Sequence, residues 1–230
     1  MHKTAIVTGA SRGLGLELAR ALAARGWRLV VDARGAAELQ AARAELAEIT
    51  DVVAIAGDIA DPAHRARLLD AAGDGLELLV NNASTLGATP LPALADYPLD
   101  ALAEVFAVNA IAPLALAQLA LQRLPAGGAI VNVTSDAAVE AYEGWGGYGA
   151  SKAALEQLSN VLAAERADLR VYAVDPGDMN TRMHEDAFPC EDISDRPPPS
   201  DSVPGLLALI EGDLPSGRYR AQDLAGVEAR

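Results

Sequence analysis

The sequence contains almost no cysteine. Cys190 is the only one among its 230 residues, so an internal disulfide is excluded. It has no partner in the sequence with which to hold a metal, and His2, His64 and His184 are scattered without the spacing of metal ligands. We therefore expect neither a disulfide framework nor a metal site.

Basic residues and long apolar runs are also scarce. Lys and Arg total 18 against 32 Asp and Glu, which gives a formal net charge of -14 and argues against nucleic acid or an anionic membrane as a partner. The N-terminal run Ala5-Ile6-Val7 is too short for a signal peptide, and no stretch approaches membrane-spanning length. These features predict a cytoplasmic protein that binds neither nucleic acid nor a membrane.

Small apolar residues are abundant instead. Hydrophobic residues make up 51% of the chain while aromatic residues make up only 4%, so Ala, Leu and Val dominate the apolar surface. A chain of this length can bury roughly 70–75% of its unfolded surface. We expect one domain spanning 1–230, with close-packed helices laid on a sheet.

Short β-rich apolar runs alternate with longer helical patterns, which is typical of an α/β protein with a parallel sheet. Strands are predicted at Ala5–Thr8, Arg28–Val31, Val52–Ala56, Leu76–Val80, Ala129–Thr134 and Leu169–Val174, with a weaker candidate at Gly217–Ala221. Helices are predicted at Leu14–Arg25, Ala36–Glu48, Pro62–Ala72, Leu99–Leu124 and Tyr148–Arg166. Because the strands are almost continuously apolar, we expect a doubly wound, mainly parallel sheet of about seven strands with helices on both faces.

Two segments depart from this alternation. Pro113 should kink or open the long fourth helix, since proline cannot donate a backbone hydrogen bond. The segment from Asp175 to Pro204 is too irregular and too long for an ordinary connection. We expect a loop over the substrate around 178–204, and a plain linker is the alternative.

A glycine-rich turn follows the first strand with the spacing Gly-x-x-x-Gly-x-Gly. In a strand–turn–helix context such glycines let backbone N–H groups and the helix N-terminus approach a pyrophosphate, although a plain turn could use them too. The residues of the turn expected to bind a dinucleotide are Gly9, Ser11, Arg12, Gly13, Leu14 and Gly15.

The end of the second strand bears on which dinucleotide binds. A carboxylate there receives the ribose hydroxyls of NAD, whereas an arginine accommodates the 2′-phosphate of NADP. Asp32 and Arg34 both occur, so the residues leave the two cofactors open. The usual discriminating position falls on Ala33, counted from Gly15, which leaves Arg34 and Arg12 for a 2′-phosphate. We favour NADP(H), with NAD(H) possible and with Arg34 as a mere exposed charge the other interpretation.

Tyr148 and Lys152 stand four residues apart at the start of a predicted helix and therefore share one face. A nearby Lys⁺ favours the phenolate and lowers the pKa of a tyrosine towards the working range. Ser135, directly after the fifth strand, can donate to a substrate carbonyl. Asn109 lies in an apolar helix, where its amide must be hydrogen-bonded, and an opening near it could hold a water leading from Lys152 to solvent.

These features converge on one edge of the predicted sheet. The carboxyl ends of parallel strands lie together, and ligands bind there. The residues at or just past successive strand ends are Gly9, Arg34, Asp58, Asn82, Ser135 and Pro176. We therefore expect one crevice that joins the glycine-rich turn to Tyr148.

From about Thr4 to about Thr181 the sequence resembles the short-chain dehydrogenase/reductase family in its compact, single-domain form. The resemblance implies a Rossmann-like NAD(P)-binding domain and a catalytic set of Asn109, Ser135, Tyr148 and Lys152. The further cofactor contacts that it implies are Asp58, Ile59, Asn82, Ala83, Tyr148, Lys152, Pro176, Gly177 and Thr181.

What the resemblance implies for function is an NAD(P)(H)-dependent oxidoreductase that interconverts a small carbonyl compound and an alcohol by hydride transfer. The alternative is a catalytically idle nucleotide-binding regulator or scaffold of the same fold. Chemistry on nucleotide sugars would need a second domain, and too few residues follow Pro176 for one. The long, Ala/Leu-rich fourth and fifth helices favour a homodimer or homotetramer, although the same faces could simply cover the sheet.

Two departures from the family pattern stand out. Ser84 replaces the usual glycine after Asn-Asn-Ala, which can alter the loop above the cofactor. The common glycine-rich C-terminal ending is replaced by the run from Ser216 to Arg220, so the substrate floor and the subunit contacts of that region are in doubt.

Overall fold

The computed structural model describes residues 3–189, 192–224 and 226. Cys190 and His2, which were considered above and rejected as metal ligands, lie outside the described residues. Strands occur at β1 Thr4–Val7, β2 Arg28–Ala33, β3 Val52–Ala56, β4 Leu76–Asn81, β5 Ala129–Val133, β6 Arg170–Asp175 and β7 Gly217–Arg220. They form one sheet in the order β3-β2-β1-β4-β5-β6-β7, and every neighbouring pair is parallel. The predicted doubly wound, Rossmann-like fold is confirmed, and the weak seventh strand is real.

Helices cover both faces of this sheet. They are α1 Gly13–Ala23, α2 Ala36–Leu46, α3 Pro62–Ala72, α4 Leu99–Phe106, α5 Ala112–Ala120, α6 Gly146–Glu165, α7 Arg182–Ala187, α8 Val203–Glu211 and α9 Ala221–Leu224. Side chains of β1 alternate between the two layers: Ala5 and Val7 belong to the apolar cluster that includes α1 and α8, and Ile6 belongs to the cluster that includes α3 and α5. The sheet is therefore buried on both faces.

The long fourth helix opens where the sequence predicts. Between α4 and α5 the chain makes a π-helical turn over Ala107–Ile111. Pro113 has no N–H for the carbonyl of Asn109, four residues earlier, so the regular ladder is interrupted at that point. The functional consequence is that Asn109 lies in an irregular turn rather than in a plain helix.

The same helix corrects one expectation. Within the described ranges, Leu99–Ala120 is the one helix long and apolar enough to cross a membrane by length and composition, whereas the sequence analysis expected no such stretch. Its inner face packs into the core through Leu116 and Ala120, but only 33% of its most apolar window is buried. The outer face leaves Leu99 and Ile111 exposed.

The described residues of the segment around 178–204 contain more regular structure than expected. It contains α7 and a 3₁₀ turn at Pro199–Ser202 that leads into α8. The Asn180 amide donates to the Pro197 carbonyl at 2.8 Å, and the Ser202 hydroxyl donates to the Pro176 carbonyl at 2.8 Å. These bonds attach the segment to the carboxyl edge of the sheet, and its role as a substrate loop stays a prediction, as does the single domain over 1–230.

Helix α8 escaped sequence analysis because its first turn holds two residues that disfavour helices. Pro204 is tolerated there, since the N–H it lacks would be unsatisfied in the first turn. Gly205 is required by packing, because a Cβ at this position would overlap the carbonyl of Ala221. Only the docking of α8 against α9 makes the glycine favourable.

Candidate active site

A cavity of about 1060 Å³ opens at the carboxyl edge of the sheet. The sequence-predicted site residues that line it are Gly9, Ser11, Arg12, Gly13, Leu14, Arg34, Asp58, Ile59, Asn82, Ala83, Ser135, Tyr148, Lys152, Pro176, Gly177 and Thr181. Gly15 and Asn109 are the two predicted residues that do not line it; both are buried behind its wall. The expected convergence of strand ends on one crevice is thus present.

The glycine-rich turn is shaped by close approach of the backbone. Gly9 has φ +67°, and a Cβ there would lie 2.9 Å from the Cα of Ala83. A Cβ at Gly15 would lie 2.5 Å from the carbonyl oxygen of Gly9. Asn82 lines the cavity, but its amide donates to the carbonyls of Thr8 at 2.8 Å and Gly9 at 3.2 Å. Its side chain therefore supports the turn from within.

The Asp32 side chain is almost fully buried and is engaged by two donors within the protein, although the residue forms part of the cavity wall. Its Oδ1 accepts the Gly9 amide at 2.8 Å, its Oδ2 accepts from Nε2 of His64 at 2.9 Å, and the carboxylate is 1% exposed. Arg67 can only donate and lies 3.2 Å from Nδ1 of His64, so the ring hydrogen sits on Nε2. Asp32, the carboxylate considered for contact with the ribose hydroxyls, thus holds the turn.

His64 was missed as part of this site. Sequence analysis considered it only as a metal ligand, because nothing in a single histidine of α3 indicates a partner at the end of β2. The available signal was the small residue Gly57, since a Cβ at that position would overlap the His64 ring. The glycine admits the imidazole to its buried position.

The opposite side of the turn carries exposed charge. Arg34 projects from the end of β2, and Nη1 of Arg12 lies 3.5 Å from Oε2 of Glu38, which also lines the cavity. Asp58 accepts the amide of Ala60 at 2.9 Å and so fixes the loop after β3. Arg12 and Arg34 make this the end of the cavity that is expected to bind phosphate.

Tyr148 lies at the other end of the cavity and is 8% exposed. Burial, the largest cause, raises the pKa of its hydroxyl well above the usual range. The hydroxyls of Ser84 and Ser135 lower this pKa by hydrogen bonding, while the carboxylates of Asp136 and Asp175 raise it. The hydroxyl is therefore held in its protonated form at neutral pH.

Lys152 is buried beside the ring of Tyr148. Its Nζ lies 5.5 Å from the centre of the Tyr148 ring and donates to the Val133 carbonyl at 2.7 Å. Burial lowers its pKa from 10.5 to about 7. From the sequence we expect a nearby Lys⁺ to lower the pKa of Tyr148, and this stays a prediction; in the structure burial raises the pKa of Tyr148 and lowers that of Lys152.

Asn109 uses its whole amide within the protein. Its Oδ1 accepts from the Ser84 hydroxyl at 3.1 Å and from the Thr85 amide at 2.9 Å. Its Nδ2 donates to the Thr85 carbonyl at 2.9 Å and to the Ser151 hydroxyl at 3.0 Å. The π-helical turn thereby positions the loop after β4 against α6, and the water expected between this opening and Lys152 stays a prediction.

Ser135 follows β5 and donates its hydroxyl to Oδ1 of Asp136 at 2.9 Å. Its carbonyl accepts from Nη2 of Arg218 at 3.3 Å, and Nε of the same guanidinium donates to Oε1 of Glu156 at 2.9 Å. Arg218 belongs to the unusual C-terminal run on β7, and its role could not be read from that departure alone. It supplies a positive charge behind the segment that carries Ser135.

Aromatic side chains form the wall beside Tyr148. Trp145 packs edge-on against Tyr148 with ring centres 5.5 Å apart and touches Phe188 at 5.7 Å. The ring of His184 stacks on Phe188 at 4.9 Å. Thr181 begins α7 by accepting the amide of His184 at 3.3 Å, so this predicted cofactor contact also caps a helix. The segment around 178–204 thus contributes an apolar surface next to the reactive hydroxyl.

One cavity therefore joins a glycine-rich turn to a buried tyrosine, a buried lysine and a half-buried serine, which is the arrangement of a dinucleotide-dependent oxidoreductase. A family model described as short chain dehydrogenase matches residues 3–192. The chain belongs to the short-chain dehydrogenase family of oxidoreductases.

Relatives of known name agree with this assignment. The chain is 36% identical to mouse sepiapterin reductase over 197 residues, which cover 78% of this chain and 76% of that protein. It is 30% identical to an NADPH-dependent aldehyde reductase-like protein of Arabidopsis thaliana over 235 residues, covering 94% and 82% of the two chains. A short-chain dehydrogenase from Escherichia coli CFT073, solved with NADPH, has a TM-score of 0.86 and 28% identity, and the match covers 96% of each chain. A nicotinamide nucleotide is thus the cofactor class of this fold.

Proposed function

We propose that the protein interconverts a carbonyl compound and an alcohol by hydride transfer, with NADP(H) favoured over NAD(H). The observation that carries the proposal is the meeting of Tyr148, Lys152 and Ser135 in the wall of the cavity that also contains the glycine-rich turn. A fold alone could host many functions, but this set of groups suits proton transfer beside a bound nucleotide.

The residues present fit a nicotinamide nucleotide. Gly9 and Gly13 both have positive φ, and the turn that they form opens on the cavity at the N-terminus of α1, where a pyrophosphate is stabilised. Arg34 and Arg12 would hold a 2′-phosphate. When bound, the nucleotide supplies or accepts the hydride.

The protein's own groups handle the proton. During reduction the Ser135 hydroxyl turns from Asp136 to the substrate oxygen, and Tyr148, kept protonated by burial, donates the hydrogen of its hydroxyl to that oxygen. The phenolate left behind requires a cation, and Lys152, with a pKa of about 7, can carry that charge. In the oxidation direction the same groups carry out the reverse transfers: Tyr148 accepts the proton of the alcohol and the nucleotide accepts the hydride. The raised pKa of Tyr148 keeps the proton-donating form, which reduction requires, populated at neutral pH.

The test is nucleotide oxidation with a panel of ketones and aldehydes, followed at 340 nm. We expect Tyr148→Phe to lower turnover by about 100-fold or more while nucleotide affinity is kept. Tyr219→Phe is the matched control, because the hydroxyl of Tyr219 donates to the Pro215 carbonyl outside the cavity. Turnover of Tyr148→Phe within a few-fold of the wild type would refute the acid/base role. Tight nucleotide binding without turnover on any carbonyl would instead favour an idle regulator.

The assembly and location of the protein are part of the proposal. Ile111 on the π-helical turn and Val161 on α6 are exposed apolar side chains on neighbouring helices, which supports a homodimer or homotetramer. Sedimentation equilibrium tests this, and a monomer at micromolar concentration would contradict it. We propose the cytoplasm as the location, since one cysteine and a nicotinamide-dependent reaction suit a reducing compartment.

A further inference from the structure

The strongest unassigned relationship in the cavity lies at its phosphate-binding end. Glu38 stands in the first turn of α2, and its Oε2 lies 3.5 Å from Nη1 of Arg12. Both side chains line the cavity, as does Arg34. A carboxylate therefore occupies the surroundings of the two guanidinium groups expected to receive a 2′-phosphate.

The local backbone makes room for this carboxylate. Gly35 precedes α2, and a Cβ at that position would come within 3.2 Å of Oε2 of Glu38. Without a side chain at Gly35, the carboxylate can lie over the start of the helix, where negative charge is stabilised by the helix dipole. Its position is thus compatible with α2 and does not depend on Arg12 alone.

The neighbouring acid on β2 cannot take the same role. Both oxygens of Asp32 are occupied, by the Gly9 amide at 2.8 Å and by His64 at 2.9 Å, and Ala33 carries no polar group. The Asp32 side chain, which is 1% exposed, is accordingly engaged with Gly9 and His64. Glu38 is the acidic side chain that reaches Arg12.

We propose that Glu38 is a determinant of cofactor preference that competes with the 2′-phosphate for Arg12. The inference rests on the proposed function, because it requires a nicotinamide nucleotide in this cavity. A nucleotide that carries the 2′-phosphate has to separate Glu38 from Arg12, since two anions cannot both lie against one guanidinium without repulsion. A nucleotide without the phosphate leaves the pair intact. Glu38 therefore reduces the difference in affinity by which the protein favours NADP(H) over NAD(H).

The pair is suited to displacement. The Arg12 and Glu38 side chains are both 53% exposed, and ion pairs of this kind contribute little to folding. Replacing Glu38 should consequently change nucleotide binding without unfolding the protein. A variant of Glu38 can therefore show a role in nucleotide recognition that is distinct from a role in protein stability.

The experiment is calorimetric titration of the apoprotein with NADP⁺, NAD⁺, 2′,5′-ADP and 5′-AMP. For Glu38→Gln we expect NADP⁺ and 2′,5′-ADP to bind about two- to five-fold more tightly, with NAD⁺ and 5′-AMP unchanged or weaker. The gain should shrink at high salt, because the competing charges are exposed. Glu48→Gln makes the same charge change on an exposed residue outside the cavity and is the matched control.

The possible outcomes distinguish a failure of the role assigned to Glu38 from a failure of the proposed function. If the wild type binds NADP⁺ and NAD⁺ but Glu38→Gln leaves their affinity ratio unchanged, the assignment of Glu38 is wrong and the proposed function stands. An equal gain for both nucleotides, or the same gain in Glu48→Gln, would also overturn it, since general electrostatics would then explain the change. If the wild type binds neither nucleotide, the proposed function is wrong and the role of Glu38 is refuted with it.

Discussion

Oδ2 of Asp32 lies 2.9 Å from Nε2 of His64, at a position where the ring is 0% exposed. The other oxygen of the carboxylate accepts the amide of Gly9 at 2.8 Å. The first glycine of the nucleotide-binding turn is therefore connected to helix α3 through two buried side chains. Because a buried carboxylate is costly without donors, the pair matters to both stability and binding.

The histidine should be the more informative member of this pair to replace. His64→Ala leaves one buried oxygen of Asp32 without a donor, and we expect the free energy of unfolding to fall by about 1–3 kcal/mol. Nucleotide affinity should fall as well, because the Gly9 turn is less firmly held. His64→Gln keeps an N–H donor and should lose less. Urea unfolding and calorimetry measure both effects, and equal stability of His64→Ala and wild type would contradict the prediction.

Two glycines with almost the same backbone angle allow the close approach in the turn to be tested. Gly9 has φ +67° and Gly73 has φ +65°, but a Cβ at Gly73 would meet nothing within 4 Å. Gly73→Ala should cost about 1–3 kcal/mol of stability through backbone strain alone, because Gly73 combines its positive φ with ψ -157°, a region that side chains disfavour. Gly9→Ala should cost more and abolish nucleotide binding, since its Cβ would collide with Ala83. Similar affinities of the two variants would show that close approach is unimportant.

The lowered pKa of Lys152 predicts that the stability of the nucleotide-free protein depends on pH. That pKa is about 7 in the folded state against 10.5 when unfolded, so the unfolded state binds more protons between these values. The free energy of unfolding should therefore rise with pH over that window, by about 1.4 kcal/mol per pH unit at most. Below pH 7 the full cost of burying the ammonium applies.

The matched variant for this effect is Lys152→Met, which keeps an unbranched side chain without the charge. The difference in stability between Lys152→Met and the wild type should favour the variant at pH 7 and diminish towards pH 10. Chemical unfolding at several pH values measures it. A difference that does not change with pH would mean that Lys152 titrates as in the unfolded chain.

Ser84, the departure from the family pattern, should tune Tyr148. Its hydroxyl has one hydrogen, which it donates to Oδ1 of Asn109 at 3.1 Å; donating that hydrogen to the Tyr148 oxygen instead lowers the pKa of Tyr148. Ser84→Gly should raise that pKa, so the rise of alcohol oxidation with pH should move to higher pH. Ser84→Thr keeps a hydroxyl and should stay near the wild-type profile. A profile that is unmoved in Ser84→Gly would remove the hydroxyl from the proton-transfer site.

Arg218 should act on Ser135 through the backbone. Arg218→Met removes the donor to the Ser135 carbonyl and leaves Glu156 and Asp175 without their partly buried counterion, so a loss of about 1–3 kcal/mol in stability is expected. Turnover should fall more than substrate affinity. Arg220→Gln is the control, because that side chain is 60% exposed and lies 3.8 Å from Asp175. Equal effects of the two variants would indicate a general loss of charge.

Much of the fold and of the site was accessible from local pattern. Apolar runs of strand length, glycines between a strand and a helix, and a tyrosine one helical turn before a lysine are written within a few consecutive residues. Each has a direct physical reading: burial on both faces, positive φ with close approach, and a shared helix face. The parallel sheet then brings the strand ends together by geometry, so the cavity could be expected before its walls were known.

Other features depended on residues far apart in the chain. Asp32 could have faced a ribose or the interior, and only the arrival of His64 from α3 turned it inward. Arg218 reaches the Ser135 carbonyl across 83 positions, once β7 has paired beside β6. Likewise the glycine in the first turn of α8 is explained only by its contact with Ala221 of α9.

The sequence by itself determined the parallel α/β sheet, the turn for a nucleotide and the pairing of Tyr148 with Lys152, because short-range spacing controls backbone conformation and the direction of side chains. The tertiary structure alone decided the protonation tendencies at that centre. Burial raises the pKa of Tyr148 and lowers that of Lys152. Desolvation depends on everything packed around a group, and no local motif contains that information.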